Sequence, residues 1–233
     1  MPPSSSFCRF GLLPLALSLV VAAAPASAQY EQRNLVTQAT ITLADFLDDP
    51  DMDWLKANFR RAKAVLIAPH VAKAGFILGG SGGRAIVVAH DPKTGKWVGP
   101  AFYTLATASI GFQAGISVSE VLTLVMTEKG FHTLLTSSVK LGGDAAVAAG
   151  PIGAGAQSNL QSDFVSFSRA TGVYGGLNFD GTVIAPSNDW NQAYYGKPFH
   201  APDILVRMAA HNKQATELLN LVTRASKNSR GGT

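Results

Sequence analysis

The chain has 233 residues, 47% of them hydrophobic and 15% charged, and its 19 Lys+Arg against 15 Asp+Glu give a formal net charge of +4. The charged fraction is well below the ~25% of an ordinary soluble domain, and so mild a net charge does not by itself argue for nucleic acid as a partner. The length suits one sizeable domain, and the 23 glycines favour tightly turned β structure over a helical bundle.

Residues 1–28 read as a cleavable signal peptide. Arg9 is the single charge of the n-region, residues 10–24 form an apolar run, Pro25 breaks it, and Ala26-Ser27-Ala28 gives the small-x-small site before Gln29. The run is shorter than the ~20 residues a membrane-spanning helix needs. Cys8, the only cysteine, precedes the run, so no lipid anchor is indicated, and the mature chain of about 205 residues holds no disulfide. The expected destination is the periplasm or the exterior, with the protein exported and peripheral to a membrane at most.

Residues 29–46 carry Leu35, Val36, Ala39, Leu43 and Phe46 at helical spacing. Asp49 then suits an N-cap and Pro50 the first helical position, with Asp51 and Asp53 at the positive end of the helix dipole. This second helix is expected to run to Lys63. Trp54, Leu55, Phe59 and Ala62 fall in one arc of the helical wheel, and Lys56, Arg60, Arg61 and Lys63 fall outside it. Strand patterns follow at 64–68, 75–79, 85–89, 97–106, 111–116 and 121–126. A helix is expected at 129–139, more strands at 144–149, 164–170, 173–179 and 182–185, and a short helix or turn at 188–195. Pro202 opens one final helix whose apolar stripe runs from Ile204 through Met208 to Val222, and residues 227–233 read as a disordered tail. Strands in succession between terminal helices predict an α+β fold, a Gly-rich antiparallel sheet or barrel flanked by N- and C-terminal helices, in a single domain over 29–226.

The charges are segregated. Residues 31–53 hold six acids and one base, residues 54–90 hold six bases and no acid, and Arg207, Lys213, Arg224, Lys227 and Arg230 make a second basic stretch opposed only by Glu217.

Few motifs carry chemistry. Gly79-Gly80-Ser81-Gly82-Gly83 matches G-x-S-x-G, but a nucleophile elbow needs a helix after the serine and a β-branched run follows here. No Lys-Ser or Lys-Thr follows the glycines, so they are no phosphate loop. Asp49-x-Asp51-x-Asp53 lacks the glycine and distal glutamate of a calcium loop, and the five histidines show no ligand spacing. No catalytic residue, metal site or cofactor is expected. The segment from Trp54 to Lys63 remains, a basic amphipathic helix able to lie on an anionic membrane or, equally in kind, to pack its apolar face on the sheet.

The order of short motifs resembles the SYLF domain family, which includes the yeast actin-binding SYLF proteins. They are Ala62-Lys-Ala-Val-Leu-Ile-Ala-Pro69, Lys73-Ala-Gly-Phe-Ile-Leu-Gly-Gly80, Ser81-Gly-Gly-Arg84, Trp97-Val-Gly-Pro-Ala-Phe102, Gly111-Phe-Gln-Ala-Gly115, Gly142-Gly-Asp-Ala145, Ala149-Gly-Pro151, Ser166-Phe-Ser-Arg169, Gly172-Val-Tyr-Gly-Gly176 and Asn191-x-x-Tyr-Tyr-Gly196. The resemblance covers residues 59–205. It implies a non-enzymatic lipid-binding module with an amphipathic N-terminal segment. On it, Trp54, Lys56, Phe59, Arg60, Arg61, Lys63, Lys73 and Arg84 are the expected lipid-binding residues and an anionic phospholipid surface is the expected partner. A structural or protein-interaction role for the Gly-rich β surface is the alternative, and a hydrolase using Ser81 ranks third.

Overall fold

The computed structural model describes residues 24–75, 78–110, 115–136, 138–151, 153, 162–170, 173–174 and 181–229. Helix α1 (Ala24–Asp48) leads into a 3₁₀ turn (Pro50–Met52), α2 (Asp53–Asn58) and a second 3₁₀ turn (Phe59–Arg61). Four long strands follow: β1 (Ala64–Gly75), β2 (Leu78–His90), β3 (Trp97–Ile110) and β4 (Gly115–Val125). Then come α3 (Glu128–Leu134), β5 (Val139–Lys140), β6 (Val147–Ala149), β7 (Phe164–Ala170), β8 (Val173–Tyr174), β9 (Val183–Pro186), α4 (Asn188–Tyr195), α5 (Ala201–Leu205), a 3₁₀ turn (Lys213–Ala215) and α6 (Thr216–Asn228).

Among the described residues nine strands join one curled sheet in the order β5-β9-β3-β2-β1-β4-β7-β6, with β8 attached to β7. The α+β class and the flanking helices are as expected. The sheet is antiparallel save for β6, which pairs parallel to β7.

Both faces of the sheet are covered, which explains the unbroken apolar run at the start of β1. Val65 and Ile67 point into a core shared with Leu43 and Phe46 of α1, Trp54 and Leu55 of α2, Tyr194 of α4 and Leu218 and Val222 of α6. Ala64, Leu66 and Ala68 point into the opposite core with Leu134 of α3 and Ile204 and Leu205 of α5. A strand buried on both sides does not need polar alternation. On the second face Tyr103 donates its hydroxyl to the Leu134 carbonyl at 2.9 Å, and burial holds its phenol above the ordinary value, so it serves as a neutral donor.

At the α4 end, β9 stops at Pro186 and the β3 ladder continues onto other partners. Ser187 donates its backbone N–H to the Phe102 carbonyl at 2.8 Å, and Phe102 N–H is accepted by Asn191 Oδ1 at 2.9 Å. Asn191 is fully buried, so its amide stands in for the missing strand.

The helical expectations at the C-terminus need correction. The final helix is two: α5 ends at Leu205, Met208 adopts a left-handed φ of 54° and is 43% exposed, and Asn212 caps the next turn by accepting from Gln214 N–H. Met208 therefore does not belong to the buried stripe that seemed to cross the break. The helix expected at 129–139 stops at Leu134, and Val139 is buried in β5 instead. Residues 227–229 are structured: α6 runs to Asn228, and buried Ser229 donates its hydroxyl to the Ala57 carbonyl at 2.7 Å. Of the expected strands, 76–77, 111–114 and 175–179 lie outside the described residues, as do residues 1–23 and 230–233.

Candidate functional site

The segment after α1 starts as its sequence demands. Asp49 caps the first 3₁₀ turn, its Oδ1 accepting from Asp51 N–H at 2.8 Å, with Pro50 in the opening position. The Asp49-x-Asp51-x-Asp53 pattern is thus helix-start chemistry, and among the described residues no group of three or more metal-ligating side chains converges.

The apolar arc that follows is core. Trp54 is 6% exposed and tilts against Phe167 of β7 at 6.1 Å between ring centroids; Phe59 is 0% exposed and meets Trp97 of β3 at 6.0 Å. The arc closes one face of the sheet and has no apolar surface left to insert into a membrane. Two of the charges outside it have carboxylate partners. Lys56 Nζ donates to the Asp49 carbonyl at 2.9 Å and lies 3.4 Å from Asp53, and Lys63 pairs with Glu128 at 2.8 Å. Arg60 is exposed, and so is Arg61, which donates to Asn58 Oδ1 at 2.9 Å.

Two further segments reach this end of the molecule. His90 N–H donates to the Lys63 carbonyl at 2.9 Å and Trp97 packs on Phe59, which places the β2–β3 turn, with exposed Lys93 and Lys96, beside Arg60 and Arg61. Asp91 in that turn accepts from the backbone N–H groups of Lys93 and Thr94; the Thr94 hydroxyl bond holds its carboxyl below the ordinary range. The Ser229–Ala57 bond brings in the end of α6, with exposed Arg224 and Lys227. Among the described residues none of Arg60, Arg61, Lys93, Lys96, Arg224 or Lys227 forms an ion pair. The result is a basic end, with Asp51 and Asp53 at the opposite, N-terminal end of α2. Lys93 and Lys96 were missed because a turn carries no periodicity, and nothing local in the sequence says which helix a turn abuts.

Lys73 and Arg84 stand apart from this end and from each other. Lys73 is ten residues beyond Lys63 on β1, about 30 Å along the strand. A bulge between Ile67 and His70 inserts one residue into β1 against β2, so that Ile67 faces Ile86 but His70 faces Arg84. One extra residue reverses the alternation. Lys73 consequently shares the face of Val71, while Arg84 shares the face covered by α1 and α4. There Arg84 Nη1 donates to Thr104 Oγ1 at 2.8 Å and to Ser187 Oγ at 3.0 Å, and its guanidinium lies 4.5 Å from the Trp190 ring centre. Ser81 sits inside β2, in register with Lys73 on one side and Thr107 on the other. No helix follows it, so the nucleophile-elbow reading fails.

A family model described as "Ysc84: Las17-binding protein actin regulator" matches residues 106–225, from the second half of β3 into α6. The chain belongs to this family. The SYLF resemblance drawn from the motif order is thereby upheld. Among curated proteins, SH3 domain-containing YSC84-like protein 1 from Homo sapiens is 30% identical over 167 residues, covering 70% of this chain and 48% of that protein. LAS seventeen-binding protein 3 from Saccharomyces cerevisiae is 27% identical over 169 residues, covering 70% of this chain and 35% of that protein. Protein YSC84 from the same organism is 28% identical over 144 residues, covering 59% and 30%. The Ysc84-family chain thus spans less than half the length of each of these relatives.

Proposed function

We propose that this protein is a non-enzymatic binding module that docks its basic end on an anionic phospholipid surface outside the cytoplasm. The observation that supports the reading is the convergence of six exposed cations, Arg60, Arg61, Lys93, Lys96, Arg224 and Lys227, from three separate segments, none of them in an ion pair among the described residues. Each Lys or Arg close to an anionic bilayer contributes about 1 kcal/mol, so six suffice for reversible docking. With Trp54 and Phe59 buried, attachment is electrostatic and shallow, and it decays over a Debye length of about 10 Å at 0.1 M salt.

Co-sedimentation with phosphatidylglycerol or cardiolipin vesicles tests this. Binding is expected at low salt, is expected to vanish in high salt, and is expected to be absent from neutral phosphatidylcholine. Reversing Arg60 and Arg61 to glutamate changes the charge of the docking face by four and should weaken binding more than tenfold at about 1 kcal/mol per charge. Lack of binding to anionic vesicles at low salt would sink the proposal. A protein-binding role is the second reading, favoured by the name of LAS seventeen-binding protein 3; an apolar protein interface would keep its affinity at high salt.

Export supplies the setting. The Arg9 n-region, apolar run and Ala26-Ser27-Ala28 site support removal of residues 1–28. N-terminal sequencing of the protein recovered outside the cytoplasm should begin at Gln29, and recovery of the uncut chain from the cytosol alone would refute it.

A further inference from the structure

Arg84 is half-buried in mid-sheet, and its contacts are electrically neutral. Two hydroxyls accept from Nη1, and the Trp190 ring lies under the guanidinium. Among the described residues no carboxylate comes within ion-pair distance, and Nε and Nη2 have no hydrogen-bond partner. Such contacts fix the orientation of a cation without neutralising it. A charge drawn partly out of water and left uncompensated is unfavourable, and an anion brought to it recovers that loss.

The same guanidinium lines a cleft of about 270 Å³ between α1, the β1–β2 pair and α4. Leu35 and Trp190 give the cleft apolar walls, and Asn34, Gln38 and His70 add groups able to donate hydrogen bonds. Glu31, exposed on α1, also lines it but does not pair with Arg84.

We propose that this cleft binds a small molecule carrying an oxyanion head, a carboxylate or a phosphate monoester, on a short apolar or aromatic body. The planar fork of Arg84 suits an oxyanion bidentately, and the stacking on Trp190 together with the Thr104 and Ser187 hydroxyls preorganises it. The body lies against Trp190 and Leu35. Glu31 carries the wrong sign for the ligand and, at the rim, weakens the binding of every anion. The inference does not rest on the membrane reading, because the cleft lies on the helix-covered face and shares no residue with the basic end.

The test uses the tryptophan indole N–H signals of the full chain, which has three tryptophans, two of them, Trp54 and Trp97, buried in the core. Phenyl phosphate, benzoate, inorganic phosphate and monomeric dihexanoyl phosphatidate are titrated separately. A saturable shift of the Trp190 signal is expected, with Trp54 and Trp97 unmoved, and inorganic phosphate should bind weakest for want of a body. Arg84→Lys keeps the charge but loses the fork and should weaken binding about tenfold, with an unchanged melting temperature showing that the fold persists. Glu31→Gln should tighten binding several-fold. Tighter binding of the phosphatidate than of phenyl phosphate would assign the head to a lipid, and the reverse to a soluble metabolite; both uphold the site. Arg60→Glu with Arg61→Glu should leave the titration unchanged while weakening vesicle binding more than tenfold, so either proposal can fail without the other. Absence of a saturable Trp190 shift with all four probes would overturn the inference, as would an equal shift in Arg84→Lys and Arg84→Gln. Weaker binding in Glu31→Gln would also overturn it, since the site would then be built around a carboxylate.

Discussion

Replacing Phe59 with alanine is expected to remove about 3–5 kcal/mol of unfolding free energy. The ring is fully buried, lies 6.0 Å from that of Trp97, and belongs to the core in which α1, α2, α4 and α6 close one sheet face. Its backbone carbonyl also ends the second 3₁₀ turn, accepting from Ala62 N–H at 3.1 Å. Its ring neighbour Trp97 is held opposite His90 by the β2–β3 ladder and cannot move freely into the space, so the cavity should persist. Against a total stability of about 5–15 kcal/mol, the loss brings the domain near its unfolding threshold. Phe59→Leu, which keeps most of the volume, should cost much less. Urea unfolding of both variants decides the matter. A change below about 1 kcal/mol for Phe59→Ala would mean a ring facing solvent or lipid, available for membrane insertion rather than buried in the core.

A second large effect is expected from one added methyl group. In Gly83→Ala, the new Cβ would stand 2.3 Å from the His70 carbonyl oxygen and 3.2 Å from Val71 Cα. Both obstacles are backbone, and His70 is the residue at which the β1 bulge resumes its pairing. No rotamer change relieves the contact; β1 and β2 must part in the middle of the sheet. Overpacking ordinarily costs about 1–3 kcal/mol, and an unyielding partner puts this case at the top of that range. Gly82→Ala is the control, since its Cβ would meet only the Leu105 carbonyl at 3.3 Å. Thermal melts should separate the two variants clearly. A Gly83→Ala protein melting with the wild type would show that the bulge is absent.

These two positions mark what could and could not be seen in the sequence. The stripe Leu35, Val36, Ala39, Leu43 and Phe46 is buried in α1 as its spacing required, and Asp49-Pro50 begins the next turn as its side-chain chemistry required. Both are local effects. The Trp54–Phe59 arc shows the limit: periodicity identifies an apolar face but not what covers it. Its cover, Trp97 and Phe167, is far along the chain. The ion pair of Lys63 with Glu128 is equally distant and equally invisible. Of the eight residues expected to bind lipid, two are core, two are in ion pairs, Arg60 and Arg61 form part of the basic end, and Lys73 and Arg84 lie on opposite sheet faces. The last separation stems from one inserted residue near Pro69. Strict alternation from Ile67 would have put Lys73 on the same sheet face as Arg84, and no single-residue pattern announces a bulge.

The outer strands of the sheet bear on how so sparsely charged a chain meets other copies of itself. At the two ends of the sheet order, β5 has two residues and β6 has three, whereas the long strand β1 is paired with β2 on one side and β4 on the other. Ends this short offer little ladder to a neighbouring molecule, and strand addition at β5 and β6 is correspondingly limited. Resistance to fibrous self-association therefore depends here on where the strands stop, so that a substitution lengthening β5 or β6 would be a greater hazard than the loss of a surface charge.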